Sequence, residues 1–210
     1  MTPLETLSQR VAPRHTALLV IDMQNDFCAE GGYVSKLGRD VTACQAIVPR
    51  LETLIAGARR FGVPVLWVQA DYGSERVPEP MRLRQSQMGR GFTCCVEGSW
   101  GAAPFGLVPG SDEATVVKHS YSGFIGTDLD LRLRAMRVRS LVVAGVQTNV
   151  CVESTIRDAH SRGYYSVVPR DAVASHMASE HEATLRNVAF LFGDVVETPD
   201  LLNLWEPRAA

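Results

Sequence analysis

The chain reads as an α/β protein with a mostly parallel sheet of about six strands, covered by helices on both faces. Two observations lead there. Short runs that are apolar throughout alternate with amphipathic helical patterns, and no internal repeat, low-complexity tract or linker interrupts the alternation across the 210 residues. A length of this order suits one domain, spanning 1–210, with ample sequence for a core. The strand runs fall at 17–22, 64–69, 114–118, 140–146, 165–169 and 194–197. Helical patterns fall at 49–61, 128–136, 150–162 and 179–192. In the first helix Leu51, Leu54, Ile55 and Ala58 share one face, and Pro49 is tolerable at its opening position. In the third, Val152, Ile156 and Ala159 share a face, and Arg162-Gly163 supplies the stop.

The segment 71–107 breaks this rhythm. It is rich in Gly, Pro and Arg, and a stretch that long between elements is either a substrate-covering excursion or a plain surface loop.

Composition excludes several classes. The net charge is −2 and the arginines are scattered, which argues against a nucleic-acid surface. No apolar run approaches the ~18 residues that span a bilayer, and residues 1–14 lack the apolar core of a secretory signal. The five cysteines, Cys28, Cys44, Cys94, Cys95 and Cys151, are irregularly spaced and contain no C-x-x-C. Neither a disulfide framework nor a zinc site is indicated, and a reducing cytoplasm fits best.

In a parallel sheet the carboxyl ends of the strands face the ligand crevice. Asp22 closes the first apolar run, Lys118 closes Ala114-Thr115-Val116-Val117, and Cys151 follows the run ending at Val146. A carboxylate or an ammonium after such runs is costly to bury unless paired. Taken singly, each has a bland reading as a cap or a snorkelling group. Together they deliver an acid, a base and a nucleophile to one edge. Cys151 also stands near the start of a helix, with Thr148 or Asn149 as its cap. Helix-terminal N–H groups favour a thiolate and can hold an oxyanion, although a free cysteine also serves as a small buried hydrophobe.

Three ordered motifs resemble the isochorismatase-like cysteine hydrolase superfamily. They are Leu19-Val20-Ile21-Asp22-Met23-Gln24-Asn25-Asp26-Phe27, then Lys118 with Tyr121-Ser122-Gly123-Phe124, and Gly145-Val146-Gln147-Thr148-Asn149-Val150-Cys151-Val152. The resemblance implies a Rossmann-like three-layer α/β/α sandwich and an Asp-Lys-Cys triad at Asp22, Lys118 and Cys151. It also implies a non-proline cis peptide at Val146–Gln147, with the Gln147 and Cys151 amides as oxyanion donors. Lys118 would hold Asp22 ionised and lower the thiol pKa.

Two comparisons within that superfamily narrow the substrate. Metal-dependent nicotinamidases carry an Asp-x-His after the second strand, whereas here Asp71-Tyr72-Gly73 stands in that place, with no histidine between His15 and His119. Conversely, Gly31-Gly32-Tyr33-Val34 and Arg82-Leu83-Arg84 are similar to the biuret and ureidoacrylate branches. The expectation is a cysteine amidohydrolase for a small ureide or carbamoyl compound (biuret, triuret, ureidoacrylate or N-carbamoyl type), needing neither metal nor organic cofactor. The alternatives are a metal-free nicotinamidase-like amidase and a redox-sensing relative. Partners would be the small amide or ureide and further copies of the chain, as dimer or tetramer, with no nucleic acid or membrane. By motif position Phe27, Tyr121 and Phe124 would form the pocket walls, and Gln147 and Asn149 would lie near the scissile carbonyl. Arg84 and Gln87, from the long loop, would read the far end of the substrate, unless they are simply solvated. His119, adjacent to Lys118, would point to the opposite face.

Overall fold

The computed structural model describes residues 2–73, 75–87 and 93–206. Residues 74 and 88–92 of the 71–107 excursion, with 1 and 207–210 of the span 1–210, lie outside the described residues. The strands are β1 (Thr16–Ile21), β2 (Val65–Ala70), β3 (Ala114–Lys118), β4 (Ser140–Val146), β5 (Tyr165–Pro169), β6 (Val173–Ala174) and β7 (Asp194–Val196). Every pairing is parallel, in the order β3-β2-β1-β4-β5-β7, with the two-residue β6 pairing β4. The order reverses between β1 and β4. A doubly wound sheet opens its ligand crevice at such a point, beyond the carboxyl ends of the strands.

Side-chain alternation divides the apolar residues of each strand between two cores. Leu18, Val20, Trp67, Val142 and Ala144 face one side, where α1 (Val48–Arg60) brings Leu51, Leu54, Ile55 and Ala58. Ala17, Leu19, Ile21, Val68, Leu141 and Val143 face the other. There they meet α3 (Leu129–Ala135), α4 (Glu153–Ser161) and α5 (Ala178–Asn187) through Leu129, Leu133, Ile156, Ala159 and Leu185. Both faces are therefore dry, which is why β1 and β4 are buried at every residue. β3 departs from that pattern. It lies at the sheet edge, and Val117 is about half exposed.

Several elements escaped the sequence pattern, among them a strand and the last helix. β6 is too short to register as a run, and α6 (Thr198–Trp205), opening on Thr198-Pro199, packs Leu201 and Trp205 onto the first core. The 71–107 excursion also holds a helix, α2 (Glu79–Gln87), none of whose residues is buried. On either side of α2, by contrast, Tyr72, Val77, Cys94, Cys95 and Leu107 are core residues. Among the described residues no helix is long and apolar enough to cross a membrane.

Candidate active site

Strand register brings the three chemically capable side chains to one edge. Ile21 lies opposite Gly145 and Val68, and Ala70 lies opposite Lys118, so β1, β3 and β4 end almost level. Asp22 is the first residue beyond β1 and sits in the left-handed region at φ 52°. For a residue with a Cβ that conformation costs on the order of 1–3 kcal/mol and is typical of functional positions. It is held by the Asp22 N–H bonded to the Val68 carbonyl at 2.8 Å and by the Gln24 N–H bonded to the Asp22 carbonyl at 2.7 Å. On β4, Gly145 has φ 109°, and a Cβ there would collide with the Ile21 carbonyl, so only glycine lets the two strand ends close up. The Val146–Gln147 peptide is cis, as the motif implied. A π-helical turn over Thr148–Val152 then carries Cys151, whose carbonyl accepts from Thr155 Oγ1 at 2.7 Å.

Lys118 Nζ lies 2.9 Å from Asp22 Oδ2 and 3.4 Å from Cys151 Sγ. The ammonium donates further to Tyr72 OH at 2.8 Å and the Ser120 carbonyl at 3.2 Å. Asp22 and Lys118 are no more than 1% exposed. Burial works against both charges, but with opposite outcomes. Desolvation would lower the lysine, yet Asp22 and Cys151 outweigh it, so Lys118 is raised and stays a cation. For Asp22 burial wins over the nearby ammonium and raises the carboxyl. Among the described residues neither Asp22 oxygen receives a well-aligned hydrogen bond, so the ammonium acts through charge and leaves the carboxylate able to accept a proton.

The thiol corrects one expectation. Lys118 and the helix start were expected to lower its pKa; instead burial and the Asp22 charge push Cys151 up to about 12, with Lys118 opposing. At neutral pH the sulfur is therefore a thiol, 5% exposed, and becomes a nucleophile only by passing its proton to an adjacent base. Asp22, whose proton affinity is raised, is the carboxylate that lines the same cavity.

A cavity of about 230 Å³ opens on the thiol, lined among others by Asp22, Phe27, Tyr72, Tyr121, Asn149 and Cys151. Phe27 meets Tyr72 edge-on at 6.3 Å, and Tyr72 meets Tyr121 edge-on at 6.4 Å. Asn149 Oδ1 accepts from Ser175 Oγ at 2.8 Å. Gln147 also lines the cavity, but its side-chain carbonyl accepts from the His176 N–H at 3.0 Å and its amide donates to Cys44 Sγ at 3.5 Å. That side chain anchors the turn.

One expected wall residue and the two expected to read the far end of the substrate lie elsewhere. Phe124 is buried in the second core, stacked on Tyr164 at 5.9 Å, because the chain turns back at Gly123, whose N–H bonds Thr155. Arg84 and Gln87 are exposed, and Gln85 lines the cavity instead; at 100° per residue Arg84 and Gln87 share one face of α2, and Gln85 lies about 100° or more away from both. Sequence reasoning missed Tyr72, whose ring also lies 5.0 Å from Lys118 Nζ. Its position two residues past β2, at the same carboxyl edge, was the available signal. Gln24 was missed too. It clamps the end of β2, donating to the Ala70 carbonyl at 3.0 Å and accepting from the Ala70 N–H at 2.8 Å. His119 points away from the thiol as expected, bonding the Asp71 carbonyl at 2.8 Å. Among the described residues no group of three His, Cys, Asp or Glu side chains converges as a metal site.

This fold and edge cluster define a hydrolase of the α/β/α class. Residues 16–200 match the family described as Isochorismatase domain, and the chain belongs to that family. It is 34% identical over 215 residues to a ureidoacrylate amidohydrolase, RutB, of Enterobacter sp. strain 638, covering 93% of this chain and 91% of that one. A cysteine hydrolase from Pseudomonas syringae superposes with a TM-score of 0.84 at 29% identity, covering 97% of both chains. N-carbamoylsarcosine amidase from Thermoplasma acidophilum superposes at 0.72 with 27% identity, covering 93% of this chain and 99% of that one.

Proposed function

We propose that this amidohydrolase, acting on a carbon–nitrogen bond of a linear amide, cleaves a small ureido acid of the ureidoacrylate or N-carbamoyl type through Cys151, Asp22 and Lys118. The single observation that carries the reading is the buried ammonium of Lys118, 2.9 Å from Asp22 and 3.4 Å from the thiol. The ureidoacrylate and N-carbamoylsarcosine activities of the relatives support the substrate class, and neither of these two proteins is named for biuret or triuret.

Asp22 takes the thiol proton as the sulfur attacks the ureido carbonyl carbon. The developing oxyanion is held by the main-chain N–H groups of Gln147 and Cys151. The carbon–nitrogen bond then breaks. The leaving nitrogen takes the proton back from Asp22, and an amine or ammonia departs. A carbamoyl or acyl thioester remains on Cys151. Asp22 deprotonates a water that attacks it, and the sulfur leaves as the thiol. Lys118 holds its positive charge throughout, so the proton shuttles on Asp22 without a bare negative charge ever standing in a dry site. Phe27, Tyr72 and Tyr121 wall the planar ureide, and Asn149 lies beside it.

A redox-sensing role is disfavoured by the thiol itself. A sensor needs an accessible, low-pKa sulfur, whereas Cys151 is buried and its pKa is raised.

The test is a substrate panel of ureidoacrylate, N-carbamoyl amino acids, biuret, triuret and nicotinamide, followed by amine and ammonia release. Turnover of a ureido acid, its loss in Cys151→Ala, and a trapped adduct on Cys151 by denaturing mass spectrometry are expected. Activity confined to nicotinamide, or near-normal turnover by Cys151→Ala, overturns the reading.

A further inference from the structure

Among the described residues that line the cavity, one carries a permanent positive charge, and no part of the mechanism above uses it. Arg39 lines the same cavity as Cys151 while remaining exposed, which places its side chain at the rim. Its backbone is fixed on both sides. Gly38, at φ 71°, closes the short helix Tyr33–Lys36, with its N–H on the Ser35 carbonyl at 2.8 Å and the Arg39 N–H on the Val34 carbonyl at 3.3 Å. Next along the chain, Asp40 Oδ1 accepts from the Thr42 N–H at 2.8 Å, at the first residue of the following helix Thr42–Ala46. The neighbouring carboxylate is thus engaged with the backbone.

Some other arginines of the chain are held by carboxylate partners, for example Arg10 with Asp194, Arg50 with Asp171, Arg59 with Glu113 and Arg157 with Glu153. Among the described residues the Arg39 guanidinium has none. Arg84 and Gln87 stand outside the cavity, and Lys118 is committed to Asp22, Tyr72 and the Ser120 carbonyl. Among the described residues that line the cavity Asp22 is the only carboxylate, and the ammonium beside it offsets its charge.

From this we infer that Arg39 is the specificity-determining residue that receives the carboxylate of the substrate, and that its guanidinium makes the enzyme prefer anionic ureides over neutral ones. The inference rests on the reading of the site as a ureide hydrolase and adds what selects among ureides. A planar fork of N–H donors matches a carboxylate in two parallel hydrogen bonds, and a rim position lets the acid end stay near water while the ureide enters towards Cys151. A neutral amide in the same place gains one ordinary hydrogen bond at most, so charge is what Arg39 reads.

The experiment compares kcat/KM for an N-carbamoyl amino acid and its carboxamide in the wild type, Arg39→Gln, Arg39→Lys and Arg39→Glu, at low and high salt. The acid-to-amide ratio should fall roughly tenfold or more in Arg39→Gln, mainly through KM. Arg39→Lys should recover part of it, and Arg39→Glu should lower it further. Added salt should weaken the wild-type preference and leave the ratio of Arg39→Gln nearly flat. A wild type that turns over both substrates, with a ratio that none of the three variants moves, overturns the role of Arg39 alone. A wild type that hydrolyses neither compound nor any ureide overturns the ureide reading and this inference together.

Discussion

β3 carries a charged pair at each of its ends, and the two pairs have opposite physics. Just before the strand, Glu113 meets Arg59 in a forked contact, Nε to Oε1 at 2.7 Å and Nη2 to Oε2 at 2.9 Å. It also accepts from Trp67 Nε1 at 2.8 Å and the Gly110 N–H at 2.7 Å. Burial alone would raise this carboxyl, but those donors together with the Arg59 charge prevail, and Glu113 is held down at about 2. At the far end of the strand, Lys118 faces Asp22 at a similar distance, yet Asp22 is raised. The difference lies in burial and in donors. Arg59 is 45% exposed, and Glu113 has four donating hydrogens on its two oxygens, whereas the inner pair is dry and, among the described residues, its carboxylate has no well-aligned donor. A carboxylate whose oxygens are satisfied by several donors, with a half-exposed arginine as its partner, stabilises the fold. An under-solvated one in the interior weakens it and keeps an affinity for protons that chemistry can use.

The largest effect is therefore expected from breaking the inner pair. Lys118→Met leaves Asp22 as an unpaired buried carboxylate and should cost about 3–5 kcal/mol, a fall in Tm of roughly 10 °C. The double variant Asp22→Asn/Lys118→Met should recover most of that stability in calorimetry while remaining at least about a thousandfold less active. If the double variant is as unstable as the single one, the pair is not electrostatically coupled. The wild-type pH profile belongs to the same test. Asp22 must be ionised to accept the thiol proton, so kcat/KM should fall as the pH drops through its raised pKa, above the usual carboxylate range. The thiol, at about 12, should contribute no limb near neutrality.

An intermediate effect is expected at the outer pair. Glu113→Gln should cost about 1 kcal/mol, since Arg59 is half in solvent, with kcat unaltered. The sign with pH follows from the lowered pKa. The Glu113 contribution is fully present above its ordinary value near 4.5 and is lost as the pH falls towards about 2. Asp22 contributes in the opposite sense, stabilising at low pH and less so as the pH rises through its raised pKa. Denaturant midpoints of Glu113→Gln and wild type should thus converge in acid; a constant gap from pH 7 to pH 3 contradicts the assignment.

The smallest effect is expected on α2. Arg84→Ala and Gln87→Ala, both exposed and outside the cavity, should change kcat/KM by less than about twofold on acid and amide substrates alike. A selective loss on the acid would move carboxylate recognition from Arg39 to this helix.

Much of this was legible in the chain itself. Apolar runs alternating with amphipathic helices fix a parallel sheet with two dry faces, because only that arrangement buries both sides of strands such as β1 and β4. Their carboxyl ends then place Asp22, Lys118 and Cys151 at one edge, since parallel strands all finish on the same side. What the local pattern could not supply was the environment. The thiol was expected to be lowered by its cation and its helix start; only packing shows that burial and Asp22 prevail. Nor could the pattern tell which of Arg84, Gln85 and Gln87 faces inward, or that Phe124 turns into the second core while Tyr72 and Arg39 reach the cavity. Periodicity records which side of an element is apolar, and residue type records which chemistry is available. The dielectric around a charge, and the company a side chain keeps across elements far apart in sequence, exist only once the sheet edge has closed.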